Sequence, residues 1–162
     1  MEKIRTQDIS LDEAIEVATL AHSGQVDKAG NPFISHPLTV MDQLRGEETR
    51  IAAVLHDVVE NTSITFKKLE EAGCSSAVIS ALKLVTHPKN YGGTKEEYLD
   101  GIQAIADSGN KIAIDVKWDD LNHNSDPSRT PNPQKEDFER LKKYEEAKEI
   151  LKPFISDYLK KK

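Results

Sequence analysis

Apolar residues recur at three- and four-residue spacing along almost the whole chain. That period belongs to amphipathic helices and is hard to reconcile with a sheet. Ser10-Leu11-Asp12-Glu13 reads as a capping box opening a helix whose stripe is Ala14, Val17, Ala18 and Ala21, ending near Gly24. A loop over 25–35 follows, then helices at about 37–44 and 48–60. Thr65 caps a short helix at 66–72, and Ser75 or Ser76 opens another carrying Val78, Ile79, Leu82 and Val85. Residues 87–94, with Pro88, Gly92 and Gly93, form a loop before a helix at about 95–106. The segment 110–123 is ambiguous, because Ile112, Ile114 and Val116 alternate as in a strand; it is read as helix because no partner strand is evident. Three prolines make 125–133 a loop. The last helix, about 134–159, is expected to turn Phe138, Leu141, Ile150, Leu151 and Phe154 inward, with Pro153 kinking or interrupting it. The fold class expected is therefore all-α: a compact helical bundle of about eight helices, forming one domain over 1–162 with its core at about 11–151.

The 162 residues suffice for one core without staples. A formal net charge of −6 argues against a general nucleic-acid binder but leaves room for a small phosphorylated substrate held by local cations or a metal. No apolar run approaches a membrane span, and residues 1–8 lack the apolar core of a signal peptide. With Cys74 as its single cysteine, the chain is expected to be cytoplasmic.

Within this pattern the run from Ala53 to Thr62 stands out, because the pair His56-Asp57 sits inside an otherwise apolar helix. An ionised Asp in such a run is costly without a partner, and a divalent cation accepts imidazole nitrogen and carboxylate oxygen together. Glu60 follows His56 by one helical turn, on the same side, where it could act on an attacking water. One His-Asp pair taken by itself is more often structural. Two further segments change that balance. Phe33-Ile34-Ser35-His36-Pro37 places a histidine at a helix start. In Val116-Lys117-Trp118-Asp119-Asp120, the spacing Ile112, Val116, Asp120 turns Asp120 toward the core and leaves Asp119 solvated. Hydrogen bonding to a helix N-terminus or to Lys117 is the plain alternative for Asp120.

The order histidine, His-Asp, distant Asp resembles the HD-domain phosphohydrolases. The local text is more specific. His22-Ser23-Gly24-Gln25, then Lys28-Ala29-Gly30-Asn31-Pro32-Phe33-Ile34-Ser35-His36-Pro37, looks like the opening of the RelA/SpoT-type alarmone hydrolase domain. Leu55-His56-Asp57-Val58-Val59-Glu60-Asn61-Thr62 and Val116 to Asp120 with His123-Asn124 are similar to its later motifs. The resemblance implies one Mn²⁺ held by His36, His56, Asp57 and Asp120, with Zn²⁺, Fe²⁺ or Co²⁺ also compatible. It implies removal of the 3′-pyrophosphate of guanosine tetra- or pentaphosphate, with Glu60 and Asn61 at the attacking water and Lys28, Asn124 and Tyr144 at the substrate. Two positions depart from that pattern. The family's Glu-Asp pair reads Glu60-Asn61, and its Arg-Lys pair, whose Arg stacks on guanine, reads Asp27-Lys28. The alternatives are an HD phosphohydrolase of another nucleotide or phosphoester and a catalytically weak nucleotide-binding domain. Lys89, Lys95, Arg129 and Arg140 are further candidates for phosphate; His22 and His123 are read as supporting residues, and His87 as a loop histidine.

Overall fold

The computed structural model describes residues 7–160, so most of the 1–8 stretch lies outside the described residues. Ten α-helical segments follow one another: α1 Leu11–Ala21, α2 Ser35–Gln43, α3 Glu47–Leu55, α4 Val58–Asn61, α5 Phe66–Glu71, α6 Ser76–Val85, α7 Lys95–Ser108, α8 Lys111–Asn124, α9 Lys135–Leu151 and α10 Asp157–Lys160. Short 3-10 turns occupy Pro127–Arg129 and Lys152–Phe154. Among the described residues the extended pairing consists of an isolated bridge between Val26 and Pro32, so the all-α reading holds. No helix among them is long and apolar enough to cross a membrane.

The helix starts follow from local chemistry. Ser10 Oγ accepts from the Glu13 N–H and Glu13 Oε1 accepts from the Ser10 N–H, both at 3.1 Å. Thr65, Ser75, Thr94 and Asn110 cap α5 to α8 by the same logic, each side chain accepting from a backbone N–H three residues on. Gly109, at φ +66°, ends α7 in the left-handed conformation that glycine adopts without steric cost and turns the chain into α8.

Two helices organise the rest. α3 packs on α1, α2, α6 and α8, and α8 is enclosed by α2, α3, α6, α7 and α9. Leu55, Val58, Leu82, Ile114, Leu121 and Leu151 fill the space between them, fully buried. Each such side chain contributes about 1.5–3 kcal/mol of burial. The core also reaches outside 11–151, taking in Ile9, Ile155 and Leu159.

Several expectations need correction. The predicted helix at 48–60 is two helices, because the chain breaks between Leu55 and Val58, at the His-Asp pair itself. Asp57 sits at φ −102°, ψ −1°, at the edge of the helical region toward the bridge conformation, where active-site residues are often found. Asp119 is buried, and so is Asp115, whose carboxylate accepts the Ser156 N–H at 2.9 Å and its hydroxyl. α8 has neighbours on every side, so its polar face is not a solvated face. Phe138 and Phe154 are 55% and 45% exposed. Phe138 precedes buried Ala147 by nine residues, which at 100° per residue places it on the opposite side of α9. Phe154 lies beyond Pro153, where the α-helix has already given way to a 3-10 turn.

Candidate active site

The break between α3 and α4 points both His56 and Asp57 at one place. α2 brings His36 to it from the loop side and the last turn of α8 brings Asp120. His36 Nε2 lies 2.8 Å from Asp120 Oδ1 and 3.6 Å from Asp57 Oδ2. His56 Nε2 lies 3.1 Å from both the same oxygens. One ligand atom from each of His36, His56, Asp57 and Asp120 lies within 4.8 Å of the others. His36, His56 and Asp120 are buried and Asp57 is half-buried.

The opposite edges of the imidazoles are fixed. His56 Nδ1 donates to the Ala53 carbonyl at 2.6 Å, and His36 Nδ1 meets His123 Nδ1 at 2.7 Å with the two ring planes nearly parallel and edge to edge. Burial, with the nearby His36 adding to it, lowers His123 to about 4, so it is a neutral acceptor for the His36 Nδ1–H. Both Nε2 atoms, which face the carboxylates, can then present lone pairs, the arrangement that orients histidine ligands in metal sites. Two imidazole nitrogens and two carboxylate oxygens, without thiolate, suit a divalent transition metal. The donor set and its outer hydrogen bonds therefore fit such an ion.

Asp120 is the most heavily engaged group. Oδ1 also accepts from Asn124 Nδ2 at 3.1 Å, and Oδ2 accepts from Lys117 Nζ at 3.0 Å. Burial would raise its pKa, but the Lys117 charge, then that of His56 and the hydrogen bonds with His36 and His56, hold it well below the usual carboxylate range. Burial likewise opposes charge on Lys117, and Asp120 more than reverses this. Lys117, named from the sequence as a hydrogen-bond partner for Asp120, is that partner, and it also lines the cavity beside the cluster, a role the sequence reading did not give it. Its signal was its place three residues before Asp120, on the same helical face.

A cavity of about 240 Å³ opens beside the cluster, lined by His36, Asp57, Glu60, Asn61, Lys117 and Asp120 and closed by His87, Tyr98, Asn124, Arg129 and Tyr144. Glu60 Oε1 accepts from the His87 N–H at 2.7 Å, which ties the loop after α6 to this carboxylate. His87, read as a loop histidine, thus forms part of the wall, its ring stacked on Tyr91. Gln25 Nε2 donates to the Asn61 carbonyl at 3.1 Å, and Gln25 is itself held by His22 Nδ1 at 3.0 Å. A second cavity of about 260 Å³ shares Phe33, Asn124, Arg129 and Tyr144 with the first and adds Val26, Asp27, Lys28, Asp137, Arg140 and Leu141. Lys28 reaches this second cavity, not the cluster, and its ammonium bonds Asp137 at 2.8 Å. Lys95 pairs with Glu146 at 2.9 Å, away from the site.

Comparison with known proteins gives a consistent picture. The bifunctional (p)ppGpp synthase/hydrolase SpoT of Escherichia coli K12 is 40% identical over 65 residues, 38% of this chain and 9% of the SpoT chain. A guanosine-3′,5′-bis(diphosphate) 3′-pyrophosphohydrolase of Spiroplasma citri is 43% identical over 65 residues, again 38% of this chain and 9% of that one. The aligned stretch is thus under a tenth of the length of these relatives. No family model matches the chain. Among solved structures, a metazoan ortholog of SpoT that hydrolyses ppGpp superposes with a TM-score of 0.72 at 20% identity, over 91% of this chain and 88% of that one. The fold is shared over 91% of this chain, and the sequence resemblance, over 38% of it, is to the RelA/SpoT proteins.

Proposed function

We propose that this chain is a metal-dependent phosphohydrolase that removes the 3′-pyrophosphate from guanosine 3′,5′-bis(diphosphate) or a close relative. The observation that carries this reading is the convergence of His36, His56, Asp57 and Asp120 to within 4.8 Å beside a cavity of about 240 Å³. The sequence resemblance to (p)ppGpp hydrolases supports the substrate class. These four residues would hold the ion, with Mn²⁺ as the first candidate. When bound, such an ion polarises a phosphoryl oxygen as a Lewis acid and acidifies water.

The remaining work belongs to the protein. Glu60 orients the attacking water and takes its proton, and the His87 N–H on Oε1 fixes the carboxylate while it does so. Asn61 hydrogen-bonds that water without accepting its proton. Lys117 and Arg129 place positive charge on the cavity wall where phosphate charge must be met. Tyr144 and Asn124 stand between the two cavities, where a sugar or base would pass from one to the other. The chain acts as one domain, 1–162, in the cytoplasm, on a small nucleotide and not on nucleic acid.

The test is a panel of guanosine tetraphosphate, other nucleotides and simple phosphoesters, assayed with Mn²⁺ on wild type and Asp57→Ala. The expected result is turnover of the tetraphosphate that Asp57→Ala abolishes, together with ion binding, while the helical circular dichroism is retained. Full activity in Asp57→Ala would refute the assignment. The Asn at 61 favours one second reading, a related phosphoester as the preferred substrate. Asn61→Asp bears on the two: a rise in tetraphosphate hydrolysis supports the first, and no gain means that the substrate is another phosphoester or that Glu60 suffices, which the substrate panel separates.

A further inference from the structure

Arg129 occupies an unusual place for a cation. It lies on the wall common to both cavities, one bordered by the His/Asp cluster and the other lined by Phe33, Leu141 and Tyr144 together with Asp27, Lys28 and Arg140. Its side chain is only 16% exposed and is held from two sides. Nη1 donates to Asn124 Oδ1 at 2.5 Å, and Nη2 faces Asp27 Oδ2 at 4.0 Å. Asp27 is itself immobilised, since its Oδ1 accepts the N–H groups of Ala29 and Asn31 at 3.0 and 2.9 Å. The carboxylate thus belongs to the turn of its own loop and turns its other oxygen to the guanidinium. The loop before α2 and the 3-10 turn after α8 are in this way coupled through one planar cation.

A guanidinium carries five donors in a fixed fork and matches phosphate oxygens in pairs. The Asn124 hydrogen bond on Nη1, with the longer ion-pair contact of Nη2 to Asp27, orients the group before any ligand arrives, which lowers the entropy cost of binding. On one side of it is the phosphate-handling cavity. On the other is a cavity whose walls mix Phe33, Leu141 and Tyr144 with Asp27, Lys28, Asp137 and Arg140, suited to a ring that carries polar edges. A ligand filling both must pass its anionic linkage across Arg129.

We infer that Arg129 is a specificity-determining residue that binds the phosphate joining the two ends of a nucleoside phosphate, with Asp27 as its positioning residue. This rests on the phosphohydrolase reading above, which it deepens by naming the residue that selects for a phosphorylated nucleoside. Asp27 acts on the ligand only through Arg129, by holding the fork in the plane it needs.

The test uses the full chain with GDP as probe, by isothermal titration, alongside Mn²⁺ titration and thermal melting as controls. Arg129→Gln is expected to weaken GDP binding tenfold or more, with Mn²⁺ affinity unchanged. Arg129→Lys, which keeps the charge and loses the fork, is expected to recover only part of it. Asp27→Asn keeps a turn-forming oxygen and removes the charge that orients the guanidinium; it is expected to weaken GDP several-fold. Should Arg129→Gln melt early, the lysine variant and Asp27→Asn carry the test. Undetectable GDP binding by wild type, or GDP affinity unchanged in both Arg129 variants, overturns the inference. If wild type turns over guanosine tetraphosphate while the variants keep GDP affinity, the inference falls and the hydrolase reading stands. If GDP binds through Arg129 but nothing is hydrolysed, the reverse holds.

Discussion

Ion binding at the His/Asp cluster must compete with a proton on His56. Burial by itself would depress this histidine, but the charges of Asp57 and then Asp120 outweigh burial and raise its pKa well above the ordinary value. Its Nε2 lies 3.1 Å from an oxygen of each. That shift favours the protonated form of His56 in the metal-free protein, and a cation requires that nitrogen unprotonated. Binding should release about one proton per ion, and affinity should rise about tenfold, or about 1.4 kcal/mol, for each pH unit until the raised pKa is passed. His123, at about 4, is already neutral in this range and adds no proton to the count. The sign carries over to stability. A raised folded-state pKa contributes stability fully present below the unfolded value and lost as pH rises through the folded one, so the metal-free protein should weaken on the alkaline side. The assay is Mn²⁺ titration calorimetry at about pH 6, 7 and 8 in pairs of buffers with different ionisation enthalpies, which yields the proton count directly. A count near zero with flat affinity across that range would show that the proton does not sit where this geometry puts it.

Two further outcomes are expected. Leu82→Ala, at the α6–α3–α8 contact, should cost about 2–5 kcal/mol in urea unfolding, because the side chain is 1% exposed and its cavity cannot collapse freely. Cys74 is pushed up to about 11 by burial, so native protein should resist alkylation at about pH 8 and react readily in denaturant; equal rates in both states would contradict the packing around it.

What sequence determined and what it left open divides along physical lines. Helix existence and most helix starts were legible, because capping and the 3.6-residue period are local: Ser10 with Glu13, Thr65 and Ser75 act where the pattern put them. The four candidate ligands were legible through the resemblance of three motifs to one family; the cost of an unpartnered Asp raised the question, but by itself left a structural His-Asp pair the commoner reading. Facing directions were not. Asp119 reads as a surface residue until α8 is seen to be surrounded, and Phe138 reads as core until its angular distance from Ala147 is counted along α9. Nor could Asp27 be seen to meet Arg129, about a hundred positions away, or His87 to meet Glu60. A residue's own neighbours fix the conformation of its backbone. Which other charge its side chain meets depends on how separate helices pack, and only the tertiary structure decides that.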